Sequence, residues 1–442
     1  MSQAHLDQLS AADTAILALE RGATHTQLGT LARFSGAAPD LEELMAHVRR
    51  RLNLVPRFRQ KLATPPLALG RPRWVDDPRF NLGYHVRHTA LPGPGTEREL
   101  RALVGRLFAQ KLDRSKPLWE LWMVERLGDG GFALVSKTHA ALVDGVSGAD
   151  LVTTLFDLDP SAPDTPQTQR WTPRPAPSTA QLTARALGDA ARGITRLPLG
   201  TLARGATEGI GQLVRAGVSP APETPLNIAI SPHRRVAFLP ASLETFRAIK
   251  DARGATVNDV VLAVTAGGIR AWMHGRGLRT EGLDMRAGVP VLMADDQLVQ
   301  LVVPLPIDIA DLAERLERIR DATAELSHSG RALGARAIAA AQGFAPPTIL
   351  AQAARLTLST RLYNVLVTNV PGPQFALHML GRRLERMFPI AFLAGDRALA
   401  VAVMSYDGTL GFGLIGDLDA MADLDAVRDG IAASIDAYAS TG

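Results

Sequence analysis

The sequence predicts a mixed α+β protein built as two halves around a linker. Three observations carry that expectation. At 442 residues the chain exceeds what one ordinary hydrophobic core accommodates. Segments with helical apolar spacing alternate with short β-rich runs on both sides of the middle. Asp159–Pro177 carries Pro160, Pro163, Pro166, Pro173, Pro175 and Pro177 and reads as a linker. The expected units are 1–159, a connecting segment 160–225, and 226–442.

The elements follow in order. Leu41–Leu54 sets Leu41, Leu44, Met45, Val48 and Leu52 on one side of a helix, and Glu97–Leu112 repeats the pattern with Leu100, Leu103, Val104, Leu107 and Phe108. Glu120–Arg126 and Phe132–Lys137 flank Gly128-Asp129-Gly130-Gly131 and predict a hairpin. Helical spacing resumes over Val146–Leu158. The connecting segment has helix potential over Gln181–Gly217, broken by Pro198, and Pro220–Pro225 punctuates it again. In the second half, Thr256–Met273 predicts an apolar helix opened by Thr256 and Asn258. Leu298–Pro306 and Leu362–Val370 predict strands. Ala398–Ser405 and Leu410–Ile415 flank Asp407-Gly408, a strong hairpin signal.

Composition narrows the function classes. Apolar residues make up 46% of the chain and charged residues 21%, an ordinary globular balance. The 48 basic residues barely outnumber the 44 acidic ones, and no basic arm with interleaved aromatics occurs, so no nucleic-acid partner is expected. The absence of cysteine excludes disulfides, thiolate chemistry and cysteine-ligated metals. The histidines lack the spacing of a metal site. Lone histidines such as His25 and His85 read as surface or satisfied core groups. The N-terminus lacks a basic and apolar leader pattern, and no apolar run approaches the ~18 residues of a membrane span. The expected location is cytoplasmic, with any membrane contact peripheral.

The chemistry concentrates in Lys137-Thr138-His139-Ala140-Ala141-Leu142-Val143-Asp144-Gly145-Val146-Ser147-Gly148. This stretch resembles the His-His-x-x-x-Asp-Gly motif of the CoA-dependent acyltransferase superfamily, in a register set by Asp144-Gly145. Ala140 then stands where that motif has its second histidine, the general base. Other segments resemble the bacterial wax ester synthase/acyl-CoA:diacylglycerol acyltransferases, in the family's order. They are Leu9–Asp13, Phe80–Val86, Leu112–Glu120 with its Pro117-Leu118-Trp119 element, Thr256–Val260 with Asn258-Asp259, Thr368–Pro373 and Ser405–Gly408.

The resemblance implies two chloramphenicol-acetyltransferase-like halves around a central tunnel. Acyl-CoA enters from one side and a long-chain alcohol or diacylglycerol from the other. No cofactor beyond acyl-CoA as substrate is implied, and no metal. A peripheral contact with a membrane or lipid-droplet surface fits such substrates. Position 140 is the base position, His139 is mainly structural, Asp144 organises the loop and Gly145 permits close approach. Asn258 and Asp259, together with Pro117, Leu118 and Trp119, are the expected substrate-binding elements. The bland reading makes Asn258-Asp259 a helix cap and Pro117–Trp119 a packing element.

A histidine suits the base role because its pKa lies near neutrality. Removing such a base costs roughly 10²- to 10⁴-fold in rate, so the chain is expected to be strongly impaired. The alternatives are a non-catalytic relative that binds acyl-CoA or lipid, and an enzyme that uses another base such as His139. Asn81, where an aspartate is common, and Met293–Gln297, which lacks the usual Gly-Asn, depart from the family pattern.

Overall fold

The computed structural model describes residues 6–142, 154–161, 171–196, 220–292, 298–328, 362–393 and 395–441. The first half runs α1 (Ala11–Leu19), β1 (Gln27–Phe34), α2 (Leu41–Arg51), β2 (Gln60–Ala63), β3 (Arg73–Asp76), α3 (Leu82–His85), β4 (Val86–Ala90), α4 (Glu97–Ala109), β5 (Trp119–Glu125) and β6 (Phe132–His139). Helix α5 (Thr179–Arg196) lies in the connecting segment. There follow β7 (Arg234–Ser242), α6 (Leu243–Arg253), α7 (Val257–Gly275), β8 (Arg286–Leu292), β9 (Leu298–Pro304) and α8 (Leu312–His328). The chain ends with β10 (Val365–Val370), β11 (His378–Met379), β12 (Arg382–Ile390), β13 (Leu399–Tyr406), β14 (Thr409–Asp417) and α9 (Leu424–Ser440).

Two six-stranded sheets organise these elements, in the orders β11-β12-β1-β6-β5-β4 and β7-β14-β13-β10-β8-β9. The two predicted hairpins form as antiparallel pairs, β5 with β6 and β13 with β14. The first sheet alternates its side chains between two cores. Ala32, Phe34, Phe132 and Leu134 point to one core with α2, whereas Leu31, Ala133 and Val135 point to the other with α4. That second core also holds Val236, Phe238, Ala400, Ala402 and Ile415 of the second sheet. The face carrying Leu31 is thus the face turned toward the other half. Helices α6, α7 and α9 cover the far side of the second sheet.

The segment 226–442 is not confined to one sheet. Strand β12 leaves it and pairs antiparallel with β1, from Gly29↔Ile390 to Phe34↔Leu384. Gly411 and Gly413 make the crossing fit: a Cβ at either would lie within 2 Å of the Met387 and Pro389 carbonyl oxygens. Helix α4 is tied across the halves to α9 by two bonds from Arg101 to Asp425, at 2.6 and 2.9 Å.

The proline-rich stretch is docked where it is described. The Arg174 amide donates to Asp76 at 3.0 Å, and Arg59 lies over the Trp171 ring. Asp189 of α5 pairs with Arg73. Helix α5 is described to Arg196, and residues 197–217 of the longer expected helix lie outside the described residues. The same holds for most of the Val146–Leu158 helix and for 293–297.

Candidate functional site at the end of strand β6

Strand β6 is buried along its whole length and delivers the motif between β1 and β5. Its last residue, His139, is 0% exposed and bonded at both ring nitrogens. The Ala141 amide donates to Nδ1 at 3.0 Å, so Nδ1 carries no proton. The proton therefore sits on Nε2, which donates to Thr26 Oγ1 at 3.0 Å. The backbone is held as firmly: the His139 amide bonds to the Leu118 carbonyl and the Ala140 amide to the Thr26 carbonyl. The Leu142 amide closes a turn on the His139 carbonyl. An imidazole so engaged has no lone pair free to take a proton from a substrate. Ala140 is fixed at the head of that turn and offers only a methyl group. Asp144 and Gly145 lie outside the described residues.

Glu20, just past α1, approaches His139 Nε2 at 3.8 Å and is held by Arg114 at 2.7 Å. Burial pushes its carboxyl up, but His139 and Arg114 outweigh that and hold it at about 2. A carboxylate this acidic is a poor general base near neutrality. Its Oε1 is buried without a hydrogen-bond partner among the described residues.

Lys137 faces its cross-strand partner Glu120 at 3.3 Å. Its ammonium also donates to the Leu107 and Gln110 carbonyls, at 3.1 and 3.0 Å. It thus satisfies carbonyls at the C-terminus of α4. Burial lowers its pKa, and the Glu120 carboxylate opposes the shift.

The Pro117-Leu118-Trp119 element acts on the motif through strand pairing. Leu118 supplies the carbonyl that receives the His139 amide. The Trp119 indole donates to the Phe58 carbonyl at 2.7 Å, and its ring stacks on His85 at 4.6 Å. His85 donates from Nδ1 to the Trp119 carbonyl at 2.7 Å, and burial lowers its pKa to about 4. His25 is likewise buried against the Phe108 carbonyl and lowered to about 4, by burial first and then by Arg234.

Thr256, rather than Asn258, caps α7. Asp259 completes a capping box: its Oδ2 accepts from the Thr256 amide at 2.8 Å, and its Oδ1 accepts from Thr323 of α8 at 2.8 Å. Asn258 sits half-buried in the same first turn. These contacts tie α7 to α8 and make no bond to the β6 motif. Asn81 caps α3, its side chain accepting from Gly83 at 3.0 Å. Glu20, Thr26 and Gln27 are the site residues that the motif reading missed. They sit more than a hundred positions before His139, and only the pairing of β1 with β6 brings Thr26 and Gln27 to it.

Two six-stranded sheets, the first completed by a strand that the second half lends it, with a histidine-led turn at the end of a central strand, define the class. A trichothecene 15-O-acetyltransferase from Fusarium sporotrichioides has this fold, with a TM-score of 0.62 over 97% of this chain and 94% of that one. At 14% identity that likeness speaks to fold alone. The wax ester synthase/diacylglycerol acyltransferase from Marinobacter aquaeolei VT8 superposes with a TM-score of 0.73 at 29% identity, over 98% of this chain and 100% of that one. Residues 9–261 match the wax ester synthase/diacylglycerol acyltransferase catalytic domain and residues 296–438 its C-terminal domain. The chain belongs to this family. Two relatives in Mycobacterium tuberculosis are similar along their length. The probable diacylglycerol O-acyltransferase tgs1 is 33% identical over 449 residues, covering 96% of this chain and 94% of that protein. The probable diacylglycerol O-acyltransferase tgs2 is 31% identical over 429 residues, covering 93% and 94%.

Proposed function

We propose that the chain has the scaffold of an O-acyltransferase that moves a fatty acyl group from acyl-CoA to a long-chain alcohol or diacylglycerol, and that its rate is strongly impaired as it stands. One observation carries the second clause. The residue at the base position is Ala140, and the neighbouring His139 has both nitrogens engaged. An imidazole at position 140 would take the proton from the acceptor hydroxyl. The alkoxide oxygen would form the new ester bond to the thioester carbonyl carbon. The carbon–sulfur bond would break, and the proton would leave on the CoA thiol.

The test is CoA release from palmitoyl-CoA and a long-chain alcohol, read with a thiol reagent. Without cysteine the protein adds no background. Ala140→His is expected to exceed the given chain by about 10²- to 10⁴-fold. Equal activity would return the base to another residue. Inactivity of both with acyl-CoA still bound would favour a lipid-binding relative.

Among the described residues no helix is long and apolar enough to cross a membrane. A peripheral lipid contact is supported by Leu67, 91% exposed, and Leu187, 57% exposed. Leu187 lies on α5, the helix packed beside the turn that carries Leu67. Charging both positions should reduce co-sedimentation with anionic vesicles, and an unchanged bound fraction would remove this patch from consideration.

A further inference from the structure

We infer that the side-chain amide of Gln27 receives the hydroxyl of the acceptor substrate. The inference rests on the acyltransferase reading above and assigns a residue to one of its two reactants. Gln27 is 1% exposed, yet neither its Oε1 nor its Nε2 has a hydrogen-bond partner among the described residues. An amide buried without partners costs free energy that an apolar side chain of the same size would not. A partner that arrives with the substrate accounts for its presence.

Three observations place the amide beside the motif. Gln27 pairs in register with His139, so the two side chains share a face of the sheet. The carbonyl of the adjacent Thr26 holds the Ala140 amide at 2.9 Å. Gln27 also has the parity of Leu31, whose face turns toward the other half of the molecule. The amide therefore belongs to the strand that holds position 140, on the side where the halves meet.

The chemistry of the orphaned atoms selects between the reactants. Gln27 Oε1 and Glu20 Oε1 are both buried acceptors without a donor. The thioester group itself carries no N–H or O–H and satisfies neither, and the palmitoyl-CoA arm of the test below separates out the amide N–H groups of the CoA arm. The acceptor hydroxyl donates one hydrogen bond and accepts others, so it matches an amide that offers an acceptor and a donor.

The test compares the full chain with Gln27→Leu by titration calorimetry. The ligands are decan-1-ol, its methyl ether and palmitoyl-CoA, and each protein is also melted. Gln27→Met, unbranched and of the same length, is made in parallel so that one misfolded variant leaves the comparison intact. The chain is expected to bind decan-1-ol about 10-fold more tightly than the ether. Both variants should lose that preference, keep palmitoyl-CoA affinity and melt at the same temperature or higher. A retained preference in the variants, or none in the parent, overturns the assignment. So does a clearly lower melting temperature in both variants, which would make the amide structural. Failure of the parent to bind palmitoyl-CoA overturns the acyltransferase reading itself, and this inference with it.

Discussion

At position 140 a side chain of one carbon stands at the head of a turn whose backbone is bonded on both sides. The Thr26 carbonyl holds the Ala140 amide, and the His139 ring holds the Ala141 amide. The turn is therefore shaped by His139, and a base at 140 would inherit a placed backbone. This separates the two residues' contributions. In an Ala140→His background, His139→Gln should lower stability by about 1–3 kcal/mol, the cost of disturbing buried hydrogen bonds. The gained rate should stay within about 10-fold. Urea melts and CoA release check the two halves of this statement, and loss of the whole rate would make His139 a participant in the chemistry. Ala140 at the proposed base position is legible in the sequence, because Asp144-Gly145 sets the register. The shell around it is not, because Glu20, Thr26 and Gln27 reach His139 only through a strand pairing that no local pattern announces.

Helices and hairpins follow their local signals closely. Apolar spacing buries Leu44 and Val48 of α2 and Leu100, Val104 and Phe108 of α4. Asp407-Gly408 turns β13 into β14. Helix α7 shows what a cap accomplishes beyond ending a helix. Asp259 closes the Thr256 box and also anchors Thr323 of α8, so one carboxylate fixes a helix start and a helix pair. Asp259→Ala is expected to cost about 1–3 kcal/mol, the sum of a lost cap and a lost tertiary hydrogen bond. Thr323→Ala should cost about 1 kcal/mol, and the double variant less than the sum of the two. Chemical denaturation of the three variants checks this, and strict additivity would contradict the shared carboxylate. By contrast, β1 mixes Gln27, Thr30 and Arg33 with its apolar residues, and β12 carries Arg382, Arg383, Glu385 and Arg386, which blurs their alternation. Their pairing is a tertiary fact.

Across the whole molecule, buried histidines set the response to acid. His25 and His85 are each lowered from 6.5 to about 4, with burial the largest cause. The unfolded chain then binds more protons than the folded one between those values, so stability falls as pH drops from 6.5 toward 4. Each histidine contributes up to about 3 kcal/mol to that loss. Glu20, held at about 2, acts in a lower window: its contribution is present above about 4.5 and lost as pH falls toward 2. Denaturation midpoints at pH 7, 5.5 and 4.5 should fall steeply, and replacing His85 with Gln should flatten the slope. A midpoint constant from pH 7 to 4.5 would contradict neutral burial of both rings.

Strand β12 has a consequence for how the protein is made. Phe34 pairs with Leu384, so β1 acquires its outer neighbour only when residues 382–390 have left the ribosome, some 350 positions later. Until then β1 presents an open sheet edge, the kind of surface that recruits other chains. The first half can collapse early around β5, β6 and α4, but its sheet is completed last, by the strand that the second half contributes. That strand locks the two halves together, and the interval before the lock is when the edge of β1 is most exposed to aggregation.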